Sequence, residues 1–294
     1  MFMAANAALF VRPAEMLPAL GNLQIYLALI GTAFLCNLRG IHNQVRIRTL
    51  VQQPINVCVI GVVLAVPLSI MLTSMDIASA YAAFVEMAKV GVYYLMLVSL
   101  INTPSRMRQF LAVTGICSIV LVGASIRDFE AFKTRWSSTE AVLEQMQKDR
   151  DLPAEDRVLK HPIDSHGTDL LGNSKLVYRM SGLGIFNDPN DVALLIGVAL
   201  VVCWYFYTDP RLRAFRYAWL LPMALLLYGY VQTQSRGGLL AIGAAGMVWL
   251  AVRYGGKVAI ALGVLGALSA PLVLGRAADM DVSDGSGQER IQIW

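Results

Sequence analysis

Three arginines in this chain stand where polar sequence meets a long apolar run. They are Arg179 in YRMSGLGIFNDPNDVALL, Arg236 in QTQSRGG and Arg290 in GSGQERIQIW, each beside glycine or an amide side chain. A guanidinium stays protonated at any biological pH and offers a planar fork of donors that fits a phosphate or carboxylate in bidentate fashion. One arginine at an apolar boundary is ordinary, because the side chain snorkels towards water. Three on one side of a membrane suggest a shared polyanionic ligand.

The residues around Arg179 divide into two groups. Asn187-Asp188-Pro189 is a helix-start signal, with an Asx cap and a proline in the first turn, and needs no chemistry to explain it. A second Asn-Asp pair, Asn190-Asp191, follows at once. Capping does not account for Arg179 or for the small run Ser181-Gly182-Leu183-Gly184, which lets backbone approach closely. A helix N-terminus beside an arginine is a ready anion site. Ser235-Arg236, in the polar break between two later apolar runs, reads either as a tight turn with a snorkelling arginine or as part of that same site.

Other constellations are weaker. His161, Asp164, His166 and Asp169 in HPIDSHGTD hold two imidazoles and two carboxylates, but their spacing matches no helical metal motif. Pro162 and Gly167 make the segment irregular, so it reads as a solvated loop and no metal site is assigned. Glu86 and Lys89 lie at i, i+3 inside an apolar run. A charge at membrane depth is costly and usually faces a bundle interior or a water-filled cavity. Both are within two turns of the predicted outer end, where mutual pairing or snorkelling is enough. Cys36, Cys58, Cys117 and Cys203 fall in separate apolar blocks with no CxxC pair, and read as small buried apolar residues.

The elements that must position these residues are membrane spans. The chain has 294 residues, 56% hydrophobic and 15% charged, where a soluble domain carries about a quarter charged residues. Its apolar residues come in long blocks, as in an all-α polytopic membrane protein. Eight spans are predicted, near Leu17–Asn37, Ile55–Thr73, Tyr81–Ile101, Phe110–Ile126, Pro189–Tyr207, Tyr217–Val231, Gly237–Val252 and Val258–Leu274. Pro67 and Pro222 sit inside spans, as membrane helices tolerate. Met1–Val11 is apolar but too short to cross. It reads as an interfacial segment or the tail of a span, and Arg12-Pro13-Ala14-Glu15 breaks it.

Loop charges set the orientation. The loops after spans one, three, five and seven hold Arg39, Arg46, Arg48, Arg106, Arg108, Arg211, Arg213, Arg216, Arg253 and Lys257. The other side holds Arg12, Arg236, Arg276 and Arg290, so ten basic residues face four. The richer side is cytoplasmic. Both ends and the long loop Arg127–Phe186 then face outwards, into the periplasm of a bacterium whose inner membrane holds the spans. Within that loop, Ser137-Ser138-Thr139-Glu140 reads as a capping box for a short amphipathic helix to about Arg150. Residues 1–126, 127–186 and 187–294 form the N-terminal spans, the periplasmic loop and the C-terminal span region. No basic run fits nucleic acid.

RMSGLGIFNDPND before one span, TQSRGG opening a later one and GSGQERIQIW after a further one resemble, in order, spacing and sidedness, the O-antigen ligase family, also known as O-antigen polymerase-like. VRPAEMLPALGNLQIYLAL near the start is similar to a segment between early spans of such proteins. The resemblance implies a GT-C-like bundle and a metal-independent glycosyltransferase without cofactor. Such an enzyme moves a glycan from undecaprenyl diphosphate to an acceptor hydroxyl of lipid A–core, protein or growing polysaccharide, at the periplasmic face. It implies catalytic roles for Arg179 and Arg290 at the diphosphate, with Asn187, Asn190, Ser235 and Arg236 binding donor or glycan. Relatives continue past the Arg290 segment with further spans and a second outer loop bearing a histidine. The chain therefore reads as truncated at Trp294, and ligase and polymerase stay open.

Two other readings remain beside it. A polysaccharide or lipid transporter or flippase should show inverted repeats and several charges at mid-membrane. A scaffold or secretion subunit would use the long loop to bind a partner, leaving the three arginines unexplained.

Overall fold

The computed structural model describes residues 1–11, 25–149, 159, 161–168, 174–183 and 186–273. The chain forms two units, Met1–Thr114 and Gly115–Trp294.

In the first unit, α1 (Phe2–Val11), α2 (Ile25–Cys36), α3 (Leu38–Val45), α4 (Ile47–Gln52), α5 (Pro54–Ser74) and α6 (Ile77–Leu100) precede the start of α7 (Pro104–Arg135). The short apolar start is a helix whose Phe2 packs with Ala33 and Met96, flanked by Tyr93 and Phe110. Polar groups inside such a cluster need partners. Asn6 donates to the Phe2 carbonyl at 2.8 Å and receives the Tyr93 hydroxyl. Asn56, buried at the start of α5, donates to Gln44 and Gln53 side chains at 3.1 Å and accepts from Tyr94 at 2.9 Å. Lys89 pairs with Glu86 at 2.6 Å on an exposed face of α6, so this pair does not line the interior of its unit.

In the second unit the remainder of α7 is followed by α8 (Thr139–Asp149), strands β1 (Ile163–Thr168) and β2 (Ser174–Tyr178), α9 (Pro189–Thr208), a 3₁₀ helix (Pro210–Trp219), α10 (Leu220–Thr233), α11 (Arg236–Tyr254) and α12 (Gly256–Val273). Helix α9 is its centre. Val192, Ile196, Ala199, Cys203 and Phe206 repeat at three- and four-residue steps and are all buried, the spacing of one helical face. Lipid tails are as apolar as these side chains, so helices in a membrane associate by close packing at small residues. A Cβ at Gly115 would stand 2.8 Å from Val202 Cγ1, one at Gly229 would stand 2.9 Å from Val122 Cγ1, and one at Gly238 would stand 2.5 Å from Ala193 Cβ. These three glycines bring α7 against α9, α7 against α10, and α9 against α11.

The architecture is helical, and among the described residues six helices are long and apolar enough to cross a membrane, or seven if α2 and α3 make one bent span. Eight were expected. The first predicted span, Leu17–Asn37, ends where the chain turns by 64° into LRGIHNQV, and its residues 17–24 lie outside the described residues. The last coincides with α12 (Gly256–Val273), an apolar helix of 18 residues that is not among the six. Pro222 lies inside the candidate span Pro210–Thr233, at the third position of α10.

Two further departures lie in the long loop. Helix α7 runs on to Arg135, beyond the predicted end of its span at Ile126. Hydropathy falls there, but RDFEAFKTR contains no glycine or proline, and Phe129 is fully buried. HPIDSHGTD is not a solvated loop throughout: Ile163–Thr168 pairs antiparallel with Ser174–Tyr178, with Ile163 opposite Tyr178 and an irregularity between Ser165 and Thr168. Helix α8 agrees with the expected amphipathic helix to within a residue or two. Cys117 and Cys203 are buried as expected, whereas Cys36 and Cys58 are exposed.

Candidate functional site

The site is built where β2 leads into α9 and where α10 hands over to α11. Asp188 is the N-cap of α9, its carboxylate accepting from the Asn190 N–H at 2.6 Å, with Pro189 at the first helical position. This is the start signal read from the sequence. Ser235 is the N-cap of α11, accepting from the Gly238 N–H at 3.1 Å. Between α10 and that cap, Gln234 takes a left-handed conformation (φ 49°), turning the chain sharply enough to place the two helix starts side by side.

They meet at one atom. Ser235 Oγ donates to Asn190 Oδ1 at 2.7 Å, and Arg179 Nη2 donates to the same oxygen at 3.4 Å. Arg179 Nε also donates to the Thr233 carbonyl, the end of α10, at 3.4 Å. Both of these partners are uncharged oxygens, and they orient the guanidinium. Two helix N-termini lie beside it, each with the partial positive charge of its dipole. Ser235 and Thr233 are buried, while Arg179 and Asn190 are half-buried.

Three successive amides fix the segment bearing Arg179. Arg179 N–H donates to Pro162 O at 2.9 Å and Met180 N–H to Gln232 O at 2.8 Å, while Ser181 N–H donates to His161 Nδ1 at 3.3 Å. The Met180 side chain is fully buried. A Cβ at Gly182 would stand 2.6 Å from the Phe186 carbonyl oxygen, which explains one member of the small run. At the end of β2, the Tyr178 hydroxyl donates to the Trp136 carbonyl at 2.8 Å, and burial holds this phenol above its ordinary range.

Of the residues expected at the site, Arg179, Asn190 and Ser235 are brought together. Arg236 is exposed at the first position of α11, next to the cluster. Asn187 is exposed just outside the cap and, among the described residues, makes no side-chain hydrogen bond into the cluster. Arg290 and Asp169 lie outside the described residues. His161 is buried, 4% exposed, and among the described residues no group of three His, Cys, Asp or Glu has metal-holding geometry. The sequence reading missed the carbonyls of Gln232 and Thr233, because backbone acceptors carry no residue-type signal. It also missed Asp128, Phe129 and Phe132, hidden in a charged run.

The arrangement can hold a phosphate or carboxylate against a fixed guanidinium and two helix starts. No family model, curated protein or solved structure matches this chain.

Proposed function

We propose that this chain is a metal-independent membrane glycosyltransferase, resembling O-antigen ligases and polymerases, in a bacterial inner membrane. It transfers a glycan from undecaprenyl diphosphate to an acceptor hydroxyl at the periplasmic face. The observation that carries the reading is the sharing of Asn190 Oδ1 by Arg179 and Ser235. Residues from three separate stretches of sequence build one pre-aimed cation beside two helix N-termini.

In the reaction, the acceptor oxygen attacks the anomeric carbon, the bond from that carbon to the diphosphate oxygen breaks, and undecaprenyl diphosphate leaves. Charge grows on the leaving oxygen as the bond lengthens. A guanidinium already held in place stabilises it with no reorganisation during the step. Arg179 fills this role, with Arg290 as its expected partner, and Arg236 and Asn187 at the rim contact the donor. The acceptor proton goes to a general base.

The test is release of undecaprenyl diphosphate from lipid-linked glycan in membranes bearing the protein. Arg179→Ala and Arg290→Ala should each abolish release. Unchanged release by both would overturn the reading. Donor crossing the membrane with its sugar–diphosphate bond intact would favour a transporter instead.

A further inference from the structure

The segment that carries Arg179 is gripped by a histidine that the chemistry above does not use. His161 is buried, with Phe129 and Phe132 edge-on to its ring at centroid distances of 5.1 and 5.0 Å. Its Nδ1 lies 3.3 Å from the Ser181 backbone nitrogen and 2.9 Å from Ser181 Oγ. A backbone N–H can only donate, so Nδ1 is the acceptor and the ring proton resides on Nε2. Nε2 faces Asp128 Oδ2 at 3.5 Å, and a carboxylate there favours that tautomer. The next residue, Pro162, accepts from the Arg179 N–H through its carbonyl. Residues 161 and 162 thus hold positions 179 and 181 from one side, while Gln232 holds position 180 from the other.

We infer that His161 is a positioning residue: its neutral Nδ1 accepts the Ser181 amide and thereby fixes the backbone from which Arg179 reaches the anion site. A buried amide that loses its acceptor costs free energy or moves, and a shift of ~1 Å at a binding group is enough to weaken its contacts severely. The contribution is therefore to geometry. This inference rests on the anion-binding reading of Arg179.

Two variants separate acceptor from volume. His161→Asn places Oδ1 near the position of Nδ1 and keeps the acceptor, whereas His161→Phe fills the ring slot and offers none. The probe is farnesyl diphosphate binding to the full chain in detergent. The Phe variant should bind at least about tenfold more weakly than wild type, the scale of a lost buried hydrogen bond, and Asn should recover most of the difference. Phe binding like wild type, or Asn binding as weakly as Phe, would overturn the inference. Arg179→Ala is the control: if it binds like wild type, the anion-site reading itself fails. If Arg179→Ala is weak while His161→Phe is unchanged, only the positioning role fails.

A second readout needs no ligand and serves if the Phe variant does not fold. The chain has three histidines, so ¹⁵N-histidine labelling gives three sets of ring signals, and the set lost in His161→Asn belongs to His161. An Nε2–H tautomer at neutral pH supports the inference. An Nδ1–H tautomer or an imidazolium there contradicts it.

Discussion

Replacing Ser235 by alanine removes one oxygen that serves two helices. Its Oγ accepts the Gly238 N–H at 3.1 Å, closing the start of α11, and donates to Asn190 Oδ1 at 2.7 Å in the first turn of α9. Loss of a serine cap costs about 1 kcal/mol, and loss of a net intramolecular hydrogen bond about 1 kcal/mol more. Ser235 is 1% exposed, so water does not replace either bond without rearrangement. Asn190 Oδ1 keeps Arg179, which limits the penalty on that side. The sum is about 2 kcal/mol, roughly a 30-fold change in the unfolding equilibrium. Reversible unfolding in mixed detergent micelles measures it, with Ser235→Thr as the companion that retains a hydroxyl and should lose less than half as much. An alanine variant within about 0.5 kcal/mol of wild type, or a threonine variant as weak as alanine, would refute the claim that this oxygen ties α9 to α11.

Further outcomes follow from neighbouring contacts. Gly238→Ala places a methyl 2.5 Å from Ala193 Cβ; overpacking of this kind typically costs about 1–3 kcal/mol, and the same micelle assay should show it while Gly243→Ala, with open space around it, changes little. The Tyr178 phenol is held above its ordinary value of 10.0 by burial, so the folded state keeps its proton longer than the unfolded one. Its stabilisation is complete below that value and is lost as pH rises through the folded pKa. Tyr178→Phe should flatten the alkaline limb of stability measured against pH, and an unchanged limb would remove Tyr178 as its cause.

How much of the site could be read from the sequence depends on how local each contact is. Asn187-Asp188-Pro189 announces a helix start because a cap and a first-turn proline act within four residues, and the structure has the cap at Asp188. The span pattern was legible in the same way, since hydropathy is a property of a window. It gives eight spans where, among the described residues, six helices are long and apolar enough to cross, or seven with the bent pair at Asn37. It also ended α7 at Ile126, because hydropathy marks the end of apolar chain and not the end of a helix. Arg179 and Ser235 were selected by residue type, position and resemblance. That they share Asn190 depends on the left-handed Gln234 and on the close α9–α11 packing at Gly238, which no local pattern announces. His161 was misread for a related reason: its burial comes from Phe129 and Phe132, two aromatic residues spaced i, i+3 inside a charged run. Asp128, one residue before Phe129, faces the His161 ring at 3.5 Å.

The proposed role of Arg179 is that of an aimed cation for a lipid-linked diphosphate. The most direct measurement is the affinity of the full chain for undecaprenyl diphosphate in nanodiscs, comparing wild type, Arg179→Lys and Arg179→Ala. Charge-assisted hydrogen bonds contribute about 1.5–3 kcal/mol each, so alanine should weaken binding by about tenfold to a hundredfold. Lysine, a point charge without the fork, should recover only part of it. Equal affinity in all three proteins would contradict the account.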